Sequence, residues 1–269
     1  MKRPSGSEPV FKHGVAFNYE NELMKKLVFR ILNGLALIIW LSANLNGQNM
    51  KAPDNMLSTK EKCIIPIAAY TSKGELKRLK SALNEGLDAG LTINEIKEVM
   101  VHLYAYCGFP RSIRGLQTFM DVLEERRGKG ITDKQGTEAS FIYDKRSKYE
   151  QGKANLEKLT GRSEPEIKSG YAAFAPIIDV FLKEHLFADI FNRDILSYAE
   201  RELVTISALS SIGGVEPMLR SHLSICLNVG LTPQQLHEFI TIIKMTIGRK
   251  EAKAAQTVLS EVLDAKQAQ

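Results

Sequence analysis

Cysteine is scarce in this chain, and the scarcity narrows its chemistry. Only Cys63, Cys107 and Cys226 occur among 269 residues. The number is odd and no two have C-x-x-C or metal-ligand spacing, which argues against a disulfide framework and a zinc site while leaving one pairing open. Each sits among apolar neighbours, the common setting of a packed thiol. Aromatic residues supply 7% of the chain, and no basic stripe runs between them, so nucleic-acid binding has little support. No apolar run approaches the roughly 20 residues that cross a bilayer as a helix. Nor does any stretch show the alternation of a half-buried strand.

What is present is an ordinary globular composition, 44% hydrophobic and 25% charged, long enough for a sizeable core in one or two domains. The net charge is +5, and residues 1–47 account for more than half of it, with six Lys/Arg against three acids. From Met24 that segment runs through Lys25, Lys26 and Arg30 into Leu35-Ala-Leu-Ile-Ile-Trp-Leu41, then into small and polar residues up to Gly47. Basic, apolar and small-polar segments in that order read as a secretory signal, with Met24 as an alternative start and a periplasmic or secreted destination. The other reading is a helix that packs on the body or a lipid-side anchor, with a cytoplasmic location.

A pattern written twice dominates the remainder. Moving residues 60–124 forward by 140 lays Gly90-Leu91-Thr92 on Gly230-Leu231-Thr232, Glu98 on Glu238 and Gly108 on Gly248. A slip of one residue upstream, to 141, pairs Glu61 with Glu202. His222 falls on Ala82, so any proton-transfer chemistry belongs to the second copy.

The periodicity is helical throughout. Leu76, Leu79, Leu83 and Leu87 form one face of a helix that ends at Gly90. Thr92 and Glu95 make a capping box for a helix carrying Ile96, Val99, Met100, Leu103 and Tyr104, which Cys107-Gly-Phe-Pro110 breaks. Ser112 opens the next. The second copy predicts a helix from Tyr198, a break at Gly213-Gly214, a helix through Asn228, and a restart at Thr232-Pro233. Between the copies, residues 128–136 read as an exposed loop, followed by helices over 143–159 and 174–185. The latter would pack through Ile177, Ile178, Phe181, Leu182 and Leu186. The domain plan is a leader at 1–47, a first module at 52–128, a connector at 129–172 and a second module at 173–265.

Thr92-Ile-Asn-Glu-Ile-Lys-Glu-Val with Tyr104-Ala-Tyr-Cys-Gly-Phe-Pro-Arg111, and Arg201-Glu-Leu-Val-Thr with Glu216, His222 and Gly230-Leu-Thr, resemble the carboxymuconolactone decarboxylase family. The resemblance implies the all-α fold of the alkylhydroperoxidase D proteins, here as two tandem modules. It places Glu202 and His222 at the glutamate and histidine of the peroxidase branch's proton relay. The cysteine pair of that branch is missing, since the segment reads Gly213-Gly-Val-Glu-Pro-Met218. Disulfide-cycling peroxide reduction needs such a pair.

A hairpin of the two helices around Gly213-Gly214 brings Glu202 and His222 within about one turn of each other. A carboxylate that fixes an imidazole's tautomer leaves a proton carrier usable near neutral pH. Decarboxylation of a lactone acid needs such an acid and a cationic grip on carboxylate. The candidates are therefore His222, Glu202 and Glu216 for catalysis, with Arg201, Arg220, Tyr104, Cys107 and Arg111 lining the substrate site. Each has a structural reading too: His222 as a core histidine, Glu202 and Glu216 as helix N-terminal acids, Tyr104 and Cys107 as core, Arg111 as a surface charge. His102 reads as a polar helix edge, His185 and His237 as surface or interface.

These residues favour a lyase without cofactor or metal, acting on a small lactone or keto acid. The alternatives are a peroxidase of peroxiredoxin type using Cys107 alone, or a non-catalytic oligomeric scaffold. Helical modules of this size bury their faces by pairing, so a homo-oligomer is the expected assembly, with a trimer as one form of it. No nucleic-acid partner and no membrane span in the mature chain are expected.

Overall fold

The computed structural model describes residues 55–268, and the expected signal lies outside them. All regular structure among the described residues is helical. The first copy comprises α1 (Thr59–Lys73), α2 (Leu76–Asp88) and α3 (Ile93–Gly128). The connector holds α4 (Lys148–Thr160), α5 (Gly170–Phe174), α6 (Pro176–Phe181) and a π-helical segment, Leu182–Ile190. The second copy comprises α7 (Tyr198–Ile212), α8 (Glu216–Asn228), α9 (Pro233–Thr246) and α10 (Arg249–Gln267). None of these helices is long and apolar enough to cross a membrane.

Local chemistry sets the repeat. Ser58 with Glu61 and Ser197 with Glu200 form capping boxes that open α1 and α7, helices of 15 residues each. Thr92 with Glu95 and Thr232 with Gln235 do the same for α3 and α9. Gly108 (φ 80°, ψ 159°) kinks α3 where Gly248 (φ 122°) separates α9 from α10, a left-handed backbone that favours glycine. The capping boxes also correct the register upstream. Ser58 falls on Ser197 and Glu61 on Glu200, an offset of 139 rather than 141, so Glu202 faces Cys63 in the repeat. The first copy thus lacks both members of the Glu202–His222 pair.

Each copy lends three side chains to the core of the other. Leu57, Ile65 and Ala69 pack into the core built from α7 to α10, while Leu196, Val204 and Ala208 pack into the core of α1 to α3. These six residues correspond one to one at the offset of 139, so the copies meet about a pseudo-twofold axis between α1 and α7. Ion pairs follow the same symmetry. Arg201 of α7 holds Glu98 of α3 at 2.7 Å, and Lys62 of α1, its counterpart, holds Glu238 of α9 at 2.8 Å.

The helix expected over 174–185 begins at Pro176 and runs on through the π-helical segment. Pro176 forces Ala175 out of helical geometry (φ −133°, ψ 75°), which splits the segment into α5 and α6. Ile177, Ile178 and Phe181, expected to pack, are about half exposed, and only Leu186 of that face is buried with the core. Ser112 likewise does not open a helix; it lies inside α3 beyond the kink and donates to the Met100 carbonyl at 2.7 Å.

The π-helical segment instead turns Lys183 inward, where its buried ammonium is paired with Asp179 and with Glu164 at 2.9 Å. Close approach of α4 makes this possible. A Cβ on Gly152 would lie 1.8 Å from the Lys183 carbonyl oxygen. Gly152→Ala is therefore expected to cost about 1–3 kcal/mol in denaturant unfolding, outweighing the helix propensity it gains.

Burial alone would raise the Asp179 and Glu164 carboxyls. Hydrogen bonds from Lys183 and Tyr149 to Asp179, and from Lys168 and Lys183 to Glu164, outweigh it and hold both below the usual carboxylate range. A carboxyl depressed in the folded state stabilises at pH above its unfolded value, and this contribution is lost as pH falls through the folded value. Unfolding midpoints across acid pH are expected to fall less steeply in Lys183→Met, which lacks the cation that depresses both carboxyls.

Candidate functional site

The capping box at Ser197 fixes the rotation of α7, and every residue from Arg201 to Ser211 is buried. Glu202 is thereby sealed within the protein. After the turn at Gly213-Gly214, α8 runs back along α7 and brings His222 to it. The Glu202 Oε2 atom accepts a hydrogen bond from His222 Nδ1 at 2.7 Å. A proton on Nδ1 leaves Nε2 as the nitrogen free for exchange, and the His222 side chain is 12% exposed against 0% for Glu202.

The first copy supplies the other wall. Glu98, His102 and Tyr106 recur every four residues on α3 and so share a face. Arg201 Nη2 donates to Glu98 Oε1 at 2.7 Å and to the Arg193 carbonyl at 2.6 Å, and Arg193 itself grips Glu98 from the connector side at 2.9 Å. Arg201 Nη1 lies 3.3 Å from His102 Nδ1. Because a guanidinium only donates, His102 Nδ1 accepts and its proton sits on Nε2, which donates to Thr205 Oγ1 at 2.8 Å. Thr205 passes its own proton to the Arg201 carbonyl at 2.9 Å. Burial, then Arg201 and His222, push His102 well below its usual range, so it is neutral.

Tyr106 completes the arrangement. Its ring centre lies 5.2 Å from that of His102 and 5.7 Å from that of His222, nearly perpendicular to the latter at 80°. Its hydroxyl is buried without a hydrogen-bond partner, as is Glu202 Oε1. Burial and the Glu202 charge push the phenol far above its usual range.

Several expectations are corrected. His102, read as a polar helix edge, is fully buried at the seam. Arg201 is fully buried and committed to Glu98, so its fork is not free to grip a ligand. Arg220 is two residues from His222, about 200° around the helix, and pairs with Glu261 on the outside of α8. There it lines a cavity of 520 Å³ with Arg162, Asn228 and Lys266. Glu216 is exposed in the first turn of α8, where it accepts weakly from Gly214 N at 3.3 Å. It borders a second cavity of 330 Å³ with Ser210, Gly213 and Lys250. Arg111 is exposed with its guanidinium over Gly74, at the carboxyl end of α1. Tyr104 stacks on Phe109 at 4.4 Å and meets His185 at 5.4 Å. Neither cavity is lined by Glu202 or His222.

The Carboxymuconolactone decarboxylase family pattern matches residues 40–119 and again residues 180–261. The chain belongs to the carboxymuconolactone decarboxylase family. This tandem member is similar to the 4-carboxymuconolactone decarboxylase of Acinetobacter baylyi (strain ATCC 33305 / BD413 / ADP1), with 33% identity over 82 residues, 30% of this chain. It spans 60% of the length of that relative.

None of the thiols in this family member is set up as a nucleophile. Burial raises Cys107 more than a hydrogen bond from Ser72 and the charge of Arg111 lower it, and its Sγ donates to the Leu103 carbonyl at 3.2 Å. Cys63 is raised by burial and by Glu85, and Cys226, fully buried, stands well above the usual range through burial and Glu202. All three are unpaired. A chromogenic disulfide at neutral pH is expected to label Cys63 and Cys107 slowly and Cys226 only after unfolding. Rapid loss of the Cys107 thiol would restore the peroxidase alternative.

Proposed function

We propose that this protein is a lyase of the decarboxylase branch, acting on a small lactone or keto acid by proton transfer at His222. The observation that carries the reading is the 2.7 Å Glu202–His222 hydrogen bond, present in the second copy and replaced by Cys63 and Ala82 in the first. Family membership and the similarity to a curated decarboxylase support the same class.

In the proposed reaction the bond between the substrate and its carboxylate breaks, carbon dioxide leaves, and the electron pair remains on carbon as an enolate. Protonated His222 gives its Nε2 proton to that carbon, and water returns one to the ring. Glu202 stabilises the imidazolium and keeps Nδ1 occupied. With Arg201 engaged by Glu98 and Arg220 on the far face, neither arginine is offered to a substrate carboxylate at His222, which favours a monoanion. Incubation with a panel of lactone and keto acids, read by carbon dioxide release, is expected to show turnover that drops about 100-fold or more in His222→Ala. Turnover indifferent to that substitution removes His222 from the mechanism.

A second reading, a non-catalytic oligomeric scaffold, is favoured by two observations. The Glu202–His222 pair is nearly sealed, and Phe174, Ile177, Ile178 and Phe181 present an uncovered apolar surface. Absence of turnover on the whole panel, with a stable oligomer in solution, selects it.

A further inference from the structure

The two copies meet where Glu202 and His222 lie, and the contact there is not symmetric. Tyr106 on α3 of the first copy falls on Thr246 of α9, whose hydroxyl is spent on the Ile242 carbonyl at 2.8 Å. At the pseudo-equivalent position the second copy therefore carries a short, satisfied side chain, and the counterparts of Glu202 and His222 are Cys63 and Ala82. The first copy offers a long phenol to Glu202 and His222.

Two facts about that phenol have no explanation within the core. Its ring meets the His222 imidazole at 80°, the edge-to-face geometry that favours one orientation of the pair. Its hydroxyl is buried without a hydrogen-bond partner, and the Glu202 carboxylate, whose charge acts on it, also has one buried, unpartnered oxygen, Oε1. A buried donor or acceptor left alone is costly, so each of these groups has a drive to find a partner. The competing acceptor is Thr205 Oγ1, which lies near the phenol, receives His102 Nε2, gives its proton to the Arg201 carbonyl and keeps one lone pair. Hydrogen bonds at reacting groups are often long in an empty site and tighten on binding.

We propose that Tyr106, supplied by the otherwise depleted first module, is a positioning residue for the proton-transfer pair of the second. Its ring holds His222 in the orientation that meets Glu202. Its hydroxyl donates to Glu202 Oε1, which pins the carboxylate so that Oε2 stays on Nδ1 and Nε2 stays turned outward. The role deepens the lyase reading, and it applies to the pair whatever the substrate. It also accounts for retention of a module that has neither Glu nor His at its own site.

A double-mutant cycle between Tyr106→Phe and Glu202→Gln, read by denaturant unfolding of the full chain, tests the contact. The combined effect on the unfolding constant is expected to differ from the product of the single effects by about tenfold. Agreement within about twofold overturns the proposal. A second measurement covers the case in which Glu202→Gln does not fold. The nitrogen-NMR signals of the His222 ring are expected to shift in Tyr106→Phe and to be unchanged in Thr246→Val; unchanged signals in Tyr106→Phe overturn the proposal as well. Neither readout uses turnover. An inactive substrate panel retires the lyase reading while the cycle still decides on Tyr106, and an additive cycle beside His222-dependent activity does the reverse.

Discussion

The pairing of Glu98 with Arg201 is the constraint on which the rest of this structure depends. Both side chains are sealed, 1% and 0% exposed, and they come from different copies of the repeat. Desolvating two charges is expensive, and the cost is recovered only with good geometry and with the remaining donors satisfied. Here Arg193 shares Glu98, the Arg193 carbonyl takes a second bond from Nη2 and Nη1 reaches His102, while Nε is left buried without a partner. Such a network is worth little if α3 slides against α7 by one residue, since breaking it strands a buried charge. It therefore fixes the register at which Tyr106 meets His222, two helical turns along from Glu98.

The matching pair on the other side of the pseudo-twofold, Lys62 with Glu238, is partly open to solvent, at 39% and 14% exposure. An exposed pair contributes little to stability. The difference follows from what each helix carries. Where Lys62 is flexible and near the surface, the segment before α1 takes over, with Leu57 N donating to Glu238 at 2.8 Å and Gln235 reaching the Met56 carbonyl at 3.3 Å. One half of the seam is thus held by charges and the other by backbone, and only the charged half borders the candidate site.

Most of the fold was legible because it rests on short-range chemistry. Capping boxes, positive-φ glycines and leucine spacing act within a few residues, and they placed α2, α3, α7, α8 and α9 closely. The register upstream of α2 was misread for an instructive reason. Matching Glu61 to Glu202 rewards identity of residue type, whereas the hydroxyl of Ser58 or Ser197 bonding three residues on fixes the helix start and pairs Glu61 with Glu200. The helix read from Phe174 starts at Pro176, because Ala175 before a proline is held out of helical geometry, and its face of Ile177, Ile178 and Phe181 is left exposed by the described residues. Of the site, the Glu202–His222 pair was accessible from a hairpin argument, since 20 residues separate them. His102, Tyr106 and the fate of Arg201 were not, because their contacts join residues about 100 apart in sequence and depend on how two modules dock. A spacing of four along Glu98, His102 and Tyr106 was the available signal, a polar stripe on a helix whose other positions are apolar.

The lent side chains bear on how the chain reaches this state. Leu57, Ile65 and Ala69 join a core whose other buried members run from Leu203 to Val262, so these early side chains must wait for the last helices to emerge. Contacts of such separation slow folding and leave apolar surface uncovered in the interval. Neither half is a finished unit that the other merely joins. Cutting the chain in the connector would give two fragments, each lacking the three core side chains that the other supplies, and their recombination as a noncovalent pair would be the natural outcome.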